Sequence, residues 1–327
     1  MESRKVLFAI PTDSGEPVPG LDRLMAAGYA VELVQGRRML TEDELTARLP
    51  GVCATIAGGE AYTERVFAAH PALKLVARHG AGFDKVDLAA ATRHGVLVTT
   101  TPGSNANAVA DLTIGLMCAV RRQIVQLDHR MREGVWASEQ VPALWKSTVG
   151  IVGLGHIGKC VARRCLGFEM QVLATEPAPD MAFVRQHGIE LLDLEELLRR
   201  ADIITLHTPA TPQNRHLINR ERLALMRPTA ILINTARGTL VDQDALIEAL
   251  KNGRIAGAGL DVFQREPLES SSPLLVLDNV VLTPHCAGKD LTAQASTVSR
   301  CVETVLRFFR GEPLEPDDIR NPDVLRR

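Results

Sequence analysis

Three short segments carry side chains able to grip an acid and move a proton. They are Asn234-Thr235-Ala236-Arg237-Gly238, Gly259-Leu260-Asp261-Val262-Phe263 running on to Glu266-Pro267, and Thr283-Pro284-His285. The planar guanidinium of Arg237 can pair with a carboxylate through two parallel hydrogen bonds, which a lysine cannot match. A histidine such as His285 can take a hydroxyl proton and give it back. A carboxylate such as Glu266 beside it would fix the tautomer and stabilise the imidazolium. Singly, each has an ordinary reading as a surface ion-pairing arginine, a loop carboxylate and a satisfied core histidine. A fourth segment makes the set worth reading as one site.

That segment, Val149-Gly150-Ile151-Val152-Gly153-Leu154-Gly155-His156-Ile157-Gly158, places G-x-G-x-x-G after an apolar strand and at the opening of a helix. A glycine triplet alone also fits a plain strand-to-helix turn. In this setting Gly153 permits the tight turn, Gly155 leaves room for a pyrophosphate, and Gly158 lets helix and strand pack closely. The first amides of the helix, around His156 and Ile157, then face phosphate charge. The next strand, Gln171 to Thr175, ends at Glu176, eighteen residues past Gly158. An acid there can accept hydrogen bonds from ribose hydroxyls and would repel a ribose phosphate, which favours NAD over NADP. The plainer reading is a solvated strand-end carboxylate.

The elements that must carry these residues are written as alternating short apolar runs and helical patterns, the signature of βα units around parallel sheets. Val6 to Ile10, Ala30 to Val34, Ala54 to Ala57, Leu73 to Arg78 and Val96 to Thr99 read as strands of a first series. Helical patterns lie at Leu21 to Gly28, Glu42 to Leu49 and Thr63 to Ala69. After the turn Thr101-Pro102-Gly103, Ser104 or Asn105 can cap a long helix with Val109, Leu112, Leu116, Ala119 and Val120 on one face. A second series begins at Thr148 and runs through Val172 to Ala174, Ile203 to Leu206, Ala230 to Ile233, Gly257 to Leu260 and Val280 to Leu282. A final helix, Thr292 to Phe309, ends at Gly311 and Pro313.

A chain of 327 residues favours two domains, and 37 basic against 39 acidic residues gives no broad electrostatic reason to expect nucleic acid or an anionic membrane as a partner. The first apolar run stops at Pro11, too short for a signal peptide or a membrane span, so a cytoplasmic protein is expected. Six scattered cysteines show no C-x-x-C and no zinc spacing. Reduced thiols are expected, Cys286 is read as packing despite its place beside His285, and no metal is expected.

In the order and spacing of its motifs the chain resembles the D-isomer-specific 2-hydroxyacid dehydrogenase family along nearly its whole length. The matching stretches include Arg78-His79-Gly80-Ala81-Gly82-Phe83-Asp84-Lys85-Val86-Asp87, Thr101-Pro102-Gly103-Ser104-Asn105, the Gly153 fingerprint and His207-Thr208-Pro209. Asn234 to Gly238, Gly259 to Glu266 and Pro284-His285 complete them. The resemblance implies an α/β protein of two doubly wound parallel-sheet domains, a Rossmann NAD-binding domain (104–287) inserted into a flavodoxin-like substrate domain (1–103 and 288–327). It implies Arg237, Glu266 and His285 as the catalytic set, with Arg237 and His285 also contacting the substrate. By the same resemblance Ala81 and Gly82 offer amides to the substrate carboxylate across a cleft, Asp261 holds the nicotinamide carboxamide, and His207, Thr208, Pro209 and Ala236 line the cofactor. A homodimer joined through the cofactor domain is implied, with the Trp136 to Trp145 stretch where the dimer arm lies. His207 reads equally as a cap on its strand end and is not counted as catalytic.

The activity expected is hydride transfer between NAD and C2 of a small D-2-hydroxy or 2-oxo acid. The nearest flavour is the phosphoglycerate dehydrogenase-like group, in which Arg78 could pair with a substrate phosphate or phosphonate. Against that, Ala57-Gly58-Gly59-Glu60 lacks an arginine that many phosphoglycerate dehydrogenases carry near that point, and Arg78 also reads as a strand-end charge. Glu266 speaks against the formate dehydrogenase branch. The alternative from another class is an NAD(H)-sensing transcriptional corepressor on the same fold.

Overall fold

Val6, Phe8 and Ile10 alternate with Leu7 and Ala9 along the first strand, and both sets are buried, each in a different apolar cluster. A strand with two apolar faces needs cover on both, which is the condition for helices on either side of a parallel sheet. The computed structural model describes residues 4–12, 18, 20–36 and 38–326, and they fall into two units, Met1–Asn105 with Asp290–Arg327, and Ala106–Lys289.

In the first unit β1 (Arg4–Thr12), α1 (Leu21–Ala26), β2 (Tyr29–Gln35), α2 (Glu42–Arg48) and β3 (Val52–Ala57) follow one another. Then come α3 (Glu64–Ala69), β4 (Leu75–Arg78), α4 (Leu88–Arg93) and β5 (Leu97–Thr99). The sheet is parallel in the order β2-β1-β3-β4-β5, the flavodoxin-like arrangement. Helix α4 was not legible beforehand, although its start is conventional: Asp87 accepts from the Ala90 amide at 2.9 Å.

The second unit opens with α5 (Ala106–Arg121) and α6 (Ile124–Arg132). The expected long helix is α5, which holds Val109, Leu112, Leu116, Ala119 and Val120, and Gln123, whose φ of 51° is left-handed, separates it from α6. Next are β6 (Thr148–Val152), α7 (His156–Gly167), β7 (Gln171–Thr175), α8 (Met181–His187), β8 (Glu190–Leu191), α9 (Leu194–Arg200) and β9 (Ile203–Leu206). The series closes with α10 (Arg220–Leu225), β10 (Ile231–Asn234), α11 (Gln243–Lys251), β11 (Gly257–Leu260) and β12 (Val280–Leu282). Its seven strands run β12-β11-β10-β9-β6-β7-β8, the Rossmann order with one strand added beyond β11. The order reverses between β6 and β9, so the carboxyl ends of those strands flank a crevice where ligands of such sheets collect.

Helix α12 (Leu291–Arg310) returns the chain to the first unit, where Val298, Cys301, Val302 and Val305 pack with Phe8, Ile56 and Leu75. Asp290 caps it, accepting from Ala293 N at 2.6 Å, and the left-handed Gly311 ends it as expected. The charged tail then covers the open edge of β5. Arg320 N donates to Val98 O at 2.9 Å and Thr100 N to Asp318 O at 2.8 Å. Asn321 accepts from Val98 N at 2.8 Å and donates to Val96 O at 2.9 Å and Thr92 Oγ1 at 3.1 Å. An uncovered edge would present unpaired backbone groups. Among the described residues no helix is long and apolar enough to cross a membrane. Asn321→Ala is expected to leave buried backbone groups without partners and to lower the stability of the first unit by about 2 kcal/mol. Denaturant titration checks this, and an unchanged midpoint would show that the tail is dispensable.

Candidate active site

The fingerprint begins where β6 ends. Gly153 has φ of +96°, and a Cβ there would come within 2.6 Å of His207 O, so both backbone conformation and packing demand glycine. A Cβ at Gly158 would stand 2.1 Å from Gly153 O, which lets helix α7 press onto the loop only if that side chain is missing. Gly155, at the cap position of α7, is different: a Cβ there would meet nothing within 4 Å. That open space over the amino-terminal end of a twelve-residue helix fits a pyrophosphate approaching the amides near His156 and Ile157.

Glu176 stands just past β7 and folds back on the loop, accepting from Leu154 N at 2.8 Å and from Ala178 N at 3.2 Å. The acid therefore tethers the fingerprint loop. At the end of β9, His207 N donates to Val152 O at 2.7 Å and the ring Nε2 meets Thr205 Oγ1 at 2.9 Å. Burial pushes the His207 imidazole down to about 3, so it stays neutral and serves the strand end rather than proton transfer. Thr208 and Pro209 follow, and Asn214 bonds the Pro209 carbonyl at 3.0 Å.

Strands β10, β11 and β12 bring the three chemical segments to one edge of the sheet. Asn234, 1% exposed, uses its side chain as a bracket, accepting from Ala236 N at 3.0 Å and donating to Arg237 O at 2.9 Å. The bracket fixes the backbone from which Arg237 projects. Gly238 lies so near the next loop that a Cβ would sit 1.9 Å from the Phe263 carbonyl carbon. The Arg237 loop and the Phe263 to Glu266 loop can pack together only because that position is glycine.

Asp261 is fully buried, and both its oxygens are taken by the turn that follows β12. Oδ1 accepts from Thr283 Oγ1 at 2.6 Å and from Cys286 N at 2.9 Å, while Oδ2 accepts from Ala287 N at 3.0 Å. Its carbonyl accepts from His285 N at 2.8 Å. These bonds hold His285 at φ of 52°, a left-handed conformation that costs a non-glycine residue about 1 kcal/mol or more. The Asp261 carboxylate is thus held by the turn, with no exposed surface in this structure. Its work is done through the turn.

The held histidine meets its acid directly: His285 Nδ1 lies 2.7 Å from Glu266 Oε2, and Glu266 Oε1 accepts from Phe263 N at 3.1 Å. Because a carboxylate only accepts, Nδ1 is the donor and Nε2 of the neutral ring is left as the base. The imidazole is about half exposed, so that nitrogen can be reached. Cys286 points elsewhere in chemistry, since burial and the Asp261 charge push its thiol up, away from thiolate.

In the first unit the loop after β4 carries the other expected residues. Gly80, at φ of +111°, donates to Thr101 Oγ1 at 2.8 Å, and its carbonyl accepts from Thr101 N at 2.9 Å. Arg78 is 7% exposed and donates from Nε to Gly82 O at 3.2 Å, next to Ala81. Among the described residues no group of three histidine, cysteine or acidic side chains could hold a metal ion. The roles of Asn234 as bracket and Asp261 as turn holder were not foreseen. An asparagine two residues before a loop amide was the available sign for the first.

A model of the D-isomer specific 2-hydroxyacid dehydrogenase NAD binding domain matches residues 114–287. The chain belongs to the D-isomer specific 2-hydroxyacid dehydrogenase family. It is an NAD(P)-dependent oxidoreductase by that membership. It is 41% identical over 267 residues to a glyoxylate reductase of Korarchaeum cryptofilum, covering 80% of each chain. It is 39% identical to a D-3-phosphoglycerate dehydrogenase of Methanocaldococcus jannaschii over 87% of this chain but 54% of that one. A D-lactate dehydrogenase from Aquifex aeolicus, solved with NAD and lactic acid, superposes with a TM-score of 0.84 at 27% identity, over 94% and 96% of the two chains.

Asp261→Asn would turn one acceptor into a donor facing amides already donating. It is expected to lower stability by about 2 kcal/mol and turnover about tenfold or more, the His285 turn being released. Retained turnover with a normal melting temperature would remove Asp261 from the account.

Proposed function

We propose that this dehydrogenase uses NAD in preference to NADP and moves a hydride between the nicotinamide and C2 of a small D-2-hydroxy or 2-oxo acid. The observation that carries the reading is the 2.7 Å pair of His285 Nδ1 and Glu266 Oε2, beside the Arg237 loop at the same sheet edge as the glycine fingerprint. When bound, the nicotinamide supplies or accepts the hydride at its C4 carbon.

The chain's own residues do the rest. Arg237 grips the substrate carboxylate and C2 oxygen, where a guanidinium both orients the acid and stabilises developing oxyanion charge. His285 holds the proton on Nε2 when the oxo acid is reduced and delivers it to the C2 oxygen; in the other direction Nε2 removes it. Glu266 supports the imidazolium that this cycle requires. Glu176 disfavours a ribose phosphate by charge. Relatives named glyoxylate reductase and D-3-phosphoglycerate dehydrogenase bracket the substrate, with glyoxylate and hydroxypyruvate as the simplest candidates.

A homodimer through the second unit goes with this reading. Trp136 is 90% and Trp145 58% exposed, with Ile124, Val125, Met131 and Val135 also open to solvent. A patch of that composition is unusual on a monomer. Sedimentation at micromolar concentration is expected to give the mass of two chains, and one chain would contradict the assignment.

The direct test is NADH oxidation across glyoxylate, pyruvate, hydroxypyruvate and phosphohydroxypyruvate. Turnover is expected with NADH well above that with NADPH. His285→Ala should reduce kcat about a thousandfold or more while leaving NADH binding nearly intact. Activity retained in that variant would sink the assignment. Tight NADH binding with no turnover by the native protein would favour a corepressor-type sensor instead.

A further inference from the structure

Arg237 must be held in place as well as in shape. The bonds inside its turn fix shape: Asn234 brackets Ala236 N and Arg237 O, and Arg237 Nη1 donates to Ala236 O at 2.7 Å. All of these begin and end between 234 and 237, so they do not set where the turn stands in the second unit. Bonds that leave the turn do that. Asp261 N donates to Asn234 O at 3.0 Å, which ties the turn to the end of β11, and the Thr235 side chain reaches the other way, into helix α5.

Its partner there is Thr113, fully buried, whose Oγ1 lies 2.9 Å from Thr235 Oγ1 and 2.7 Å from Val109 O. A carbonyl only accepts, so the Thr113 hydroxyl spends its one proton on Val109 O and the Thr235 hydroxyl is the donor of the pair. Thr235 is buried too, and a β-branched side chain has few χ1 states, so a bond at its oxygen restrains the backbone from which Arg237 follows. Glycines bring the helix this close. A Cβ at Gly259 would stand 3.0 Å from Leu116 Cβ and 3.4 Å from Val120 Cγ2, and one at Gly257 would stand 2.9 Å from Val120 Cγ1. Helix α5 thus lies against β11 and grips, through Thr113, the residue that follows β10. Without the acceptor, the buried Thr235 hydroxyl must find another partner or go unpaired. A small shift of an anchoring group is costly in rate.

We propose that Thr113 is a positioning residue for the dehydrogenase reaction: by accepting the Thr235 hydroxyl it fixes where the Arg237 turn stands on helix α5, and with it the grip of the guanidinium on the 2-oxo acid. This rests on the dehydrogenase reading above and adds to its site a residue that acts through Thr235 rather than on the acid itself.

Steady-state kinetics of two replacements test this, with NADH and the acid that the native enzyme turns over fastest among glyoxylate, pyruvate and hydroxypyruvate. Thr113→Val keeps the shape and removes the acceptor; it is expected to raise the KM of the oxo acid about tenfold, with the NADH dissociation constant within about twofold of native. Thr113→Ser keeps the oxygen and should stay within about threefold of the native KM. A merely structural role would lower the folded fraction, and so the apparent kcat, without raising KM. An oxo-acid KM unchanged in folded Thr113→Val, or raised equally in Thr113→Ser, overturns the proposal and leaves the dehydrogenase reading standing. Should Thr113→Val fail to fold, Thr235→Val removes the donor while the Thr113 bond to Val109 stays, and an unchanged KM in that variant overturns the proposal in the same way. Native protein with no turnover overturns the reading and the proposal together.

Discussion

The buried Asp261 carboxylate is the contact on which the second unit's chemistry depends. A fully buried ion must be repaid with donors, and here they all come from the turn at 283–287. The bonds that satisfy the charge are the same ones that hold His285 in a left-handed conformation it would not adopt alone. Once the histidine backbone is fixed, its ring falls on Glu266, and Glu266 in turn is set by the Phe263 amide. Orientation thus runs from a buried charge to an exposed imidazole without relying on a mobile side chain.

Close backbone approach extends the same logic across the sheet edge. Gly238 lets the Arg237 loop press on the Phe263 loop, and Gly153 lets the fingerprint press on His207. Each glycine removes a Cβ from a contact between neighbouring strand ends, so that segments far apart in sequence share one rim. The first unit uses side chains for a comparable purpose, with Thr101 clasping Gly80 and Arg78 holding Gly82.

Much of this was legible in the sequence. The uninterrupted apolar run Val6 to Ile10, the glycine spacing and the order of Arg237, Glu266 and His285 pointed to parallel sheets and to a nicotinamide site, because doubly covered strands and phosphate turns impose local residue types. What stayed hidden depends on partners distant in the chain. Nothing local to Asp261 indicates that it serves residues 283–287, and nothing local to Thr113 indicates that its hydroxyl meets Thr235. The tail's cover over β5 belongs to the same class, since tertiary contacts rather than propensity decide it.

The central claim is that hydride passes directly between the cofactor and C2 of the acid on one stereochemical face. The measurement closest to it is the fate of the label when pyruvate is reduced with NADH stereospecifically deuterated at the transferring C4 position. The account predicts one deuterium at C2 of D-lactate. Unlabelled product, or product of the L configuration, would contradict it.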